Sequence, residues 1–233
     1  MSSRAGAQPE PTPPIDDETL HLFCHDFRVP LTTLSAYAEL MRAPSLPAEQ
    51  RRQFAEALLN QACRLARMVD DLEGLSASAG ELAEDATAEA GACVRAAVED
   101  VRLSAEARGV RVVFSPAKMP LPTRVRADHL ERAVAWLLEV ALRRSASNTS
   151  VTVWACRDRG HVHVGMETGL DSVRESDAEA LRAFQPGPSP PDLVRGVAGP
   201  LWASLHNLER AGATQVITIV PGGLRWGLLL PPG

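Results

Sequence analysis

Two apolar stripes with steps of four and three residues constrain this chain more than any other feature. The first runs Phe23, Phe27, Leu31, Leu34, Ala38 and Met41, and the second Phe54, Leu58, Gln61, Leu65, Met68, Leu72 and Leu75. Such spacing keeps one face of an α-helix apolar, and the strict alternation in the second stripe is the seven-residue repeat of helices packed at a shallow angle. Between them APSLP, Ala43 to Pro47, breaks the helix. A break this short predicts an antiparallel helical hairpin. One hairpin has too little to bury against itself, so the pattern predicts two copies closing a four-helix bundle as a homodimer. Asp16, Asp17 and Glu18 suit the positive end of the first helix. Residues 1–16 hold five prolines or glycines and read as a flexible tail.

Composition narrows the function. Apolar residues make up 45% of the 233 and charged residues 23%, the balance of a globular protein with room for one large domain or two small ones. The formal net charge of -5 lacks the basic footprint of a nucleic-acid binder, and no Lys/Arg block suits a membrane surface. Cys24, Cys63, Cys93 and Cys156 are too widely spaced for a zinc site or a disulfide framework and are expected as buried or partly buried thiols. No apolar run reaches the ~18 residues that span a bilayer, and no signal core opens the chain, so a cytoplasmic location is expected.

After Gly80 the pattern changes. Residues 80–92, rich in Ala, Glu and Gly, read as a linker or the start of a helix. Helices are expected over Ala92–Arg108, Asp128–Arg144 and Pro200–Ala211, and a strand over Val110–Phe114. Two alternating runs, Ser150–Asp158 and His161–Glu167, meet at Arg-Gly as a β-hairpin. TQVITIV and LRWGLLL around Pro221-Gly222-Gly223 form a second hairpin, and Gln185–Pro200, with five prolines, is a loop. This order predicts an α+β fold, one sheet with helices on one face.

The chemistry sits in CHDFRVPLTTL, Cys24 to Leu34. At about 100° per residue, His25 lies about 160° from both Phe23 and Phe27, away from the apolar stripe and toward solvent. An imidazole with one free nitrogen is a competent nucleophile, and Asp26 beside it can orient the ring. Arg28 lies within a turn and can meet a phosphoryl group. Pro30 removes a helical hydrogen bond just below this position. His21 and His25 share a face, but two imidazoles without a third ligand do not make a metal site.

HDFRVPLTTLSAYAEL resembles the phosphoacceptor box of histidine kinases, and RLARMVDDLEGLSASAGEL is similar to the end of the family's second helix. The resemblance covers about residues 17–82. It implies a dimerisation and phosphoacceptor (HisKA-type) hairpin in which His25 carries the phosphoryl group, with Asp26 as acid/base partner. Family members with phosphatase activity carry Thr or Asn four residues after the histidine. Val29 stands there and predicts a poor phosphatase.

The family continues into a nucleotide-binding (GHKL, Bergerat-type) α/β sandwich, and residues 83–233 have the length and element order for one. Its binding groups are worn. The resemblance places the Mg²⁺-binding Asn at Val140 and an earlier Asn at Trp136. The adenine motif becomes Glu167-Thr168-Gly169-Leu170-Asp171, and the phosphate loop becomes Gly196-Val197-Ala198-Gly199-Pro200-Leu201. The expectation is a degenerate domain without an ATP site and with no cofactor or metal bound by this chain. That makes a histidine phosphotransferase of a two-component phosphorelay, similar to the small relay phosphotransferases. It passes phosphoryl groups between receiver-domain aspartates through His25, with Mg²⁺ supplied by the partner receiver. Two alternatives remain: a divergent histidine kinase that still autophosphorylates, with Glu139 as metal ligand, and a non-enzymatic pseudokinase scaffold that regulates a kinase or response regulator.

Overall fold

Helix α1 (Asp17–Met41) begins where the acidic run predicts, with Asp16 accepting the Thr19 N–H at 2.7 Å. The structure is a computed structural model that describes residues 15–75, 87–169, 173–187 and 189–233. The 1–14 part of the expected tail and the expected boundary at 82–83 lie outside these residues. α1 continues through Pro30, whose missing N–H leaves the Asp26 carbonyl without its helical donor. Just beyond, the hydroxyls of Thr32, Thr33 and Ser35 donate back to the carbonyls of Arg28, Val29 and Leu31 at 2.8, 3.0 and 3.0 Å. Such back-bonding is a common cause of helix bending.

α2 (Ala48–Leu75) returns antiparallel to α1. Tyr37 meets Phe54 at one end with ring centroids 5.3 Å apart, and Phe23 and Phe27 meet Leu72 and Leu75 at the other. The apolar stripe of α1 is covered unevenly. Phe23 is fully buried, Phe27, Leu34 and Met41 are half-buried, and Ala38 and Leu31, the latter 50% accessible, are exposed. The far end of a lone hairpin has no layer to pack on, so the stripe is buried only where the second half of the chain reaches it. The thiols depart from expectation for the same reason: Cys93 is buried and Cys156 half-buried, but Cys24 and Cys63 are exposed on hairpin faces that no described element covers.

The second half is a mixed five-stranded sheet in the order β2 (Arg111–Ser115), β4 (Ser150–Asp158), β5 (His161–Gly169), β7 (Gly223–Leu230), β6 (Thr214–Val220). The β2–β4 pair is parallel and the others antiparallel. Both hairpins form as their turns require. Arg159 and Gly160 adopt φ of 47° and 88°, the pair of positive values that a two-residue hairpin turn of matching twist demands. Alternate strand residues, Val151, Val153, Ala155, Val162, Val164, Met166, Leu224, Trp226 and Leu228, are buried under the helices.

Those helices are α3 (Ala90–Asp100), α4 (Arg102–Arg108), α5 (Ala127–Arg144), α6 (Glu175–Arg182) and α7 (Ala198–Arg210). The single helix expected over Ala92–Arg108 is two, divided at Val101, whose ψ of 2° leaves the helical range. α6 and a small ladder of β1 (Ala88–Glu89) with β3 (Pro122–Thr123) were not foreseen. α7 starts two residues before its expected position. Pro200 thus falls in the first turn, where a backbone N–H has no helical partner to lose.

The hairpin and the second half are joined by a buried polar centre. Asp71 on α2 is fully buried and accepts from Trp136 Nε1 at 2.5 Å, Ser204 Oγ at 2.6 Å and Arg132 Nε at 2.9 Å. Burial outweighs these three donors and raises its carboxyl to about 6. Replacing Asp71 with Leu strands all three donors and is expected to lower the unfolding free energy by about 3 kcal/mol in denaturant titrations. The sign of the pH effect follows from the raised value. Folded Asp71 holds its proton above the ordinary 3.8, so its contribution to stability falls as pH rises from 3.8 to about 6 and is constant above. The stability difference between wild type and Asp71→Asn is expected to decline across that window. A pH-independent difference would contradict the assignment.

Candidate functional site

His25 lies on the third turn of α1 with its side chain 54% accessible, as its helical phase requires. Its Nδ1 is 3.1 Å from Asp26 Oδ1. With Nδ1–H donating to the carboxylate, Nε2 keeps its lone pair and is the free nucleophile. Asp26 is not the solvent-facing partner that its place beside His25 suggests. It is fully buried, and its second oxygen, Oδ2, accepts the backbone N–H of Gly199 at 3.0 Å. Gly199 belongs to the first turn of α7, where unpaired N–H groups and the helix dipole favour an anion. The glycine-rich stretch that resembles a phosphate loop therefore closes on the carboxylate next to His25.

The glycines have structural reasons to be there. A Cβ at position 199 would lie 3.1 Å from the Phe23 ring and 3.3 Å from its backbone nitrogen, so any larger residue would push α7 and α1 apart by a few tenths of an ångström. Gly196 has φ of 82°, and its carbonyl accepts from Arg64 Nη2 at 2.6 Å. Burial, with Arg143 nearby, lowers the Arg64 guanidinium to about 10, which leaves it charged at neutral pH.

The α5 face that resembles the metal-binding box is occupied by protein. Trp136 and Val140 are fully buried. The Trp136 ring lies under the guanidinium groups of Arg64 and Arg67, at 5.7 and 5.1 Å from its centroid, and its N–H is held by Asp71. Glu139, the alternative metal ligand, is buried with Arg143 at 3.8 Å. Glu167 stands on the sheet face away from the helices and pairs with Arg225 at 2.6 Å. Leu170 and Asp171 lie outside the described residues. Among the described residues no group of three or more His, Cys, Asp or Glu is placed to hold a metal, and no helix is long and apolar enough to cross a membrane.

The structure thus brings His25 and Asp26 together and leaves Arg28 exposed on α1. Sequence reasoning missed Asp71, Arg64 and Gly199 as the residues that fix this arrangement. The sequence signal is the glycine at 199 itself, which the resemblance places in a worn phosphate loop.

Residues 18–80 match the model of the His Kinase A (phospho-acceptor) domain. Among solved structures, the histidine kinase AdeS of Acinetobacter baumannii superposes with a TM-score of 0.56 at 16% identity, over 90% of this chain and 98% of that one. Full-length ShkA in complex with AMPPNP gives 0.56 at 16% identity, over 93% of this chain and 46% of that one. A bacterial phosphotransferase gives 0.52 at 13% identity, over 91% and 93%. No curated protein matches the sequence. A phosphoacceptor hairpin followed by the fold of a histidine-kinase catalytic domain is the resulting description.

With Asp26 held as described, ¹⁵N NMR is expected to find neutral His25 as the Nδ1–H tautomer, and Asp26→Ala is expected to shift the population toward Nε2–H. A wild-type ring protonated on Nε2 would contradict the geometry.

Proposed function

We propose that this chain is a histidine phosphotransferase of a two-component relay, accepting a phosphoryl group on His25 from a receiver-domain aspartyl phosphate and passing it to a second receiver. The carrying observation is that the α7 N-terminus holds Asp26 and Phe23 rather than standing open beside the histidine. A kinase needs that glycine turn for nucleotide phosphates; here it is committed to orienting the acceptor ring. Burial of Val140, and of Trp136 beneath Arg64 of α2, supports the same reading. The phosphotransferase among the fold neighbours is consistent with it.

In the proposed step, His25 Nε2 attacks the phosphorus of the aspartyl phosphate, the P–O bond to the aspartate breaks, and the carboxylate leaves. No proton need move, because the positive ring that forms keeps Nδ1–H against the Asp26 carboxylate. Mg²⁺ at the donor is the receiver's. The partly covered stripe of α1, with Leu31 exposed, would pack in a homodimeric four-helix bundle. Arg28 and the exposed Val29 then border the face offered to a receiver, and Val29, with no hydrogen-bonding group, leaves no water-orienting side chain four residues after His25. The AMPPNP complex of ShkA carries the second reading, a divergent kinase that uses Glu139.

Radiolabelled ATP and phosphorylated receivers separate the two. Labelling from a phospho-receiver that is lost in His25→Ala is expected, with none from ATP and Mg²⁺ alone. Label on His25 from ATP without a donor protein would overturn the proposal.

A further inference from the structure

A cavity of about 300 Å³ adjoins the acceptor histidine, lined by His21, Leu22 and His25 of α1 and by Ser189, Pro190 and Arg195 of the segment leading to α7. Its polar groups beside His25 are hydrogen-bond donors: a second imidazole, a hydroxyl and a guanidinium. No carboxylate lines it. Asp26, beside His25, is engaged with His25 and Gly199, and Asp192 with Arg195 Nη2 at 2.6 Å. The Asp192–Arg195 pair is largely exposed, at 63% for the arginine, so water screens it and it holds the guanidinium weakly. The rest of the five-donor fork remains available to a phosphate. The volume is about ten times a water's share of the liquid, enough for a phosphoryl group and the end of the carboxylate that delivers it. Arg28, by contrast, does not line the cavity.

We infer that this cavity is a phosphoryl subsite in which the second half of the chain supplies Arg195, with His21 and Ser189, to the group transferred to and from His25. The inference rests on the phosphotransferase reading and deepens it. The degenerate domain contributes a binding residue to the reacting group, through the segment that precedes α7. Arg195 neutralises the equatorial oxygens while the P–O bond to the donor aspartate breaks and the bond to Nε2 forms, and it pairs with the dianion of the product phosphohistidine.

The full chain is titrated with inorganic phosphate while the histidine ring resonances are followed by NMR. In parallel, His25 is phosphorylated with phosphoramidate, a small donor that releases ammonia and needs no receiver surface. Saturable shifts of His21 and His25 are expected in wild type. Arg195→Ala should weaken phosphate binding at least tenfold and slow labelling by a similar factor, and Arg195→Lys should recover part of both. Phosphate binding or labelling unchanged in Arg195→Ala would overturn the subsite, as would absence of any shift at His21 and His25. The outcomes remain distinguishable from failure of the relay reading. Wild type that binds phosphate and labels from phosphoramidate, but from no phospho-receiver, removes the relay and keeps the subsite. Normal receiver transfer in Arg195→Ala does the reverse.

Discussion

The hydrogen bond from the Gly199 N–H to Asp26 ties the two halves of this protein to one chemical group. One oxygen of the carboxylate faces His25, and the other takes a donor at the start of a thirteen-residue helix. A buried carboxylate needs both oxygens satisfied, because desolvation without partners costs several kcal/mol. The docking of α7 on α1 and the orientation of the imidazole therefore stand or fall together. Phe23 packs against Gly199, Arg64 reaches the Gly196 carbonyl, and Asp71 gathers donors from α5 and α7, all along the same contact.

This changes the meaning of the worn nucleotide motifs. Trp136 and Val140 stand where the resemblance places the family's Asn residues. Trp136 has a structural use: it bonds Asp71 and stacks beneath Arg64 and Arg67, so α2 side chains cover this position of the helix face that resembles a metal-binding box. The glycines have a steric and hydrogen-bonding role toward α1. The second half of the chain thus packs on the helix that carries His25, and Arg195 of the neighbouring segment lines the same cavity as that histidine.

Much of the fold was legible because it is local. Apolar spacing marked α1 and α2, alternation marked both hairpins, and Arg159-Gly160 carries the backbone demand of its turn. The exposure of His25 was legible from helical phase alone. The burial of Asp26 was not, since its partner lies 173 residues away. Nor was Asp71, whose neighbour Asp70 looks the same in the sequence but is exposed. The division at Val101 and the short helix α6 lacked a strong local stop or period. The exposed Cys24 and Cys63 depended on which hairpin faces the second half leaves bare.

Calorimetric titration of the full chain with ATP and Mg²⁺ addresses the central claim, that the glycine turn is closed on α1 and not on a nucleotide. The account predicts no saturable heat for wild type at millimolar nucleotide. Saturable binding in the micromolar range would contradict it.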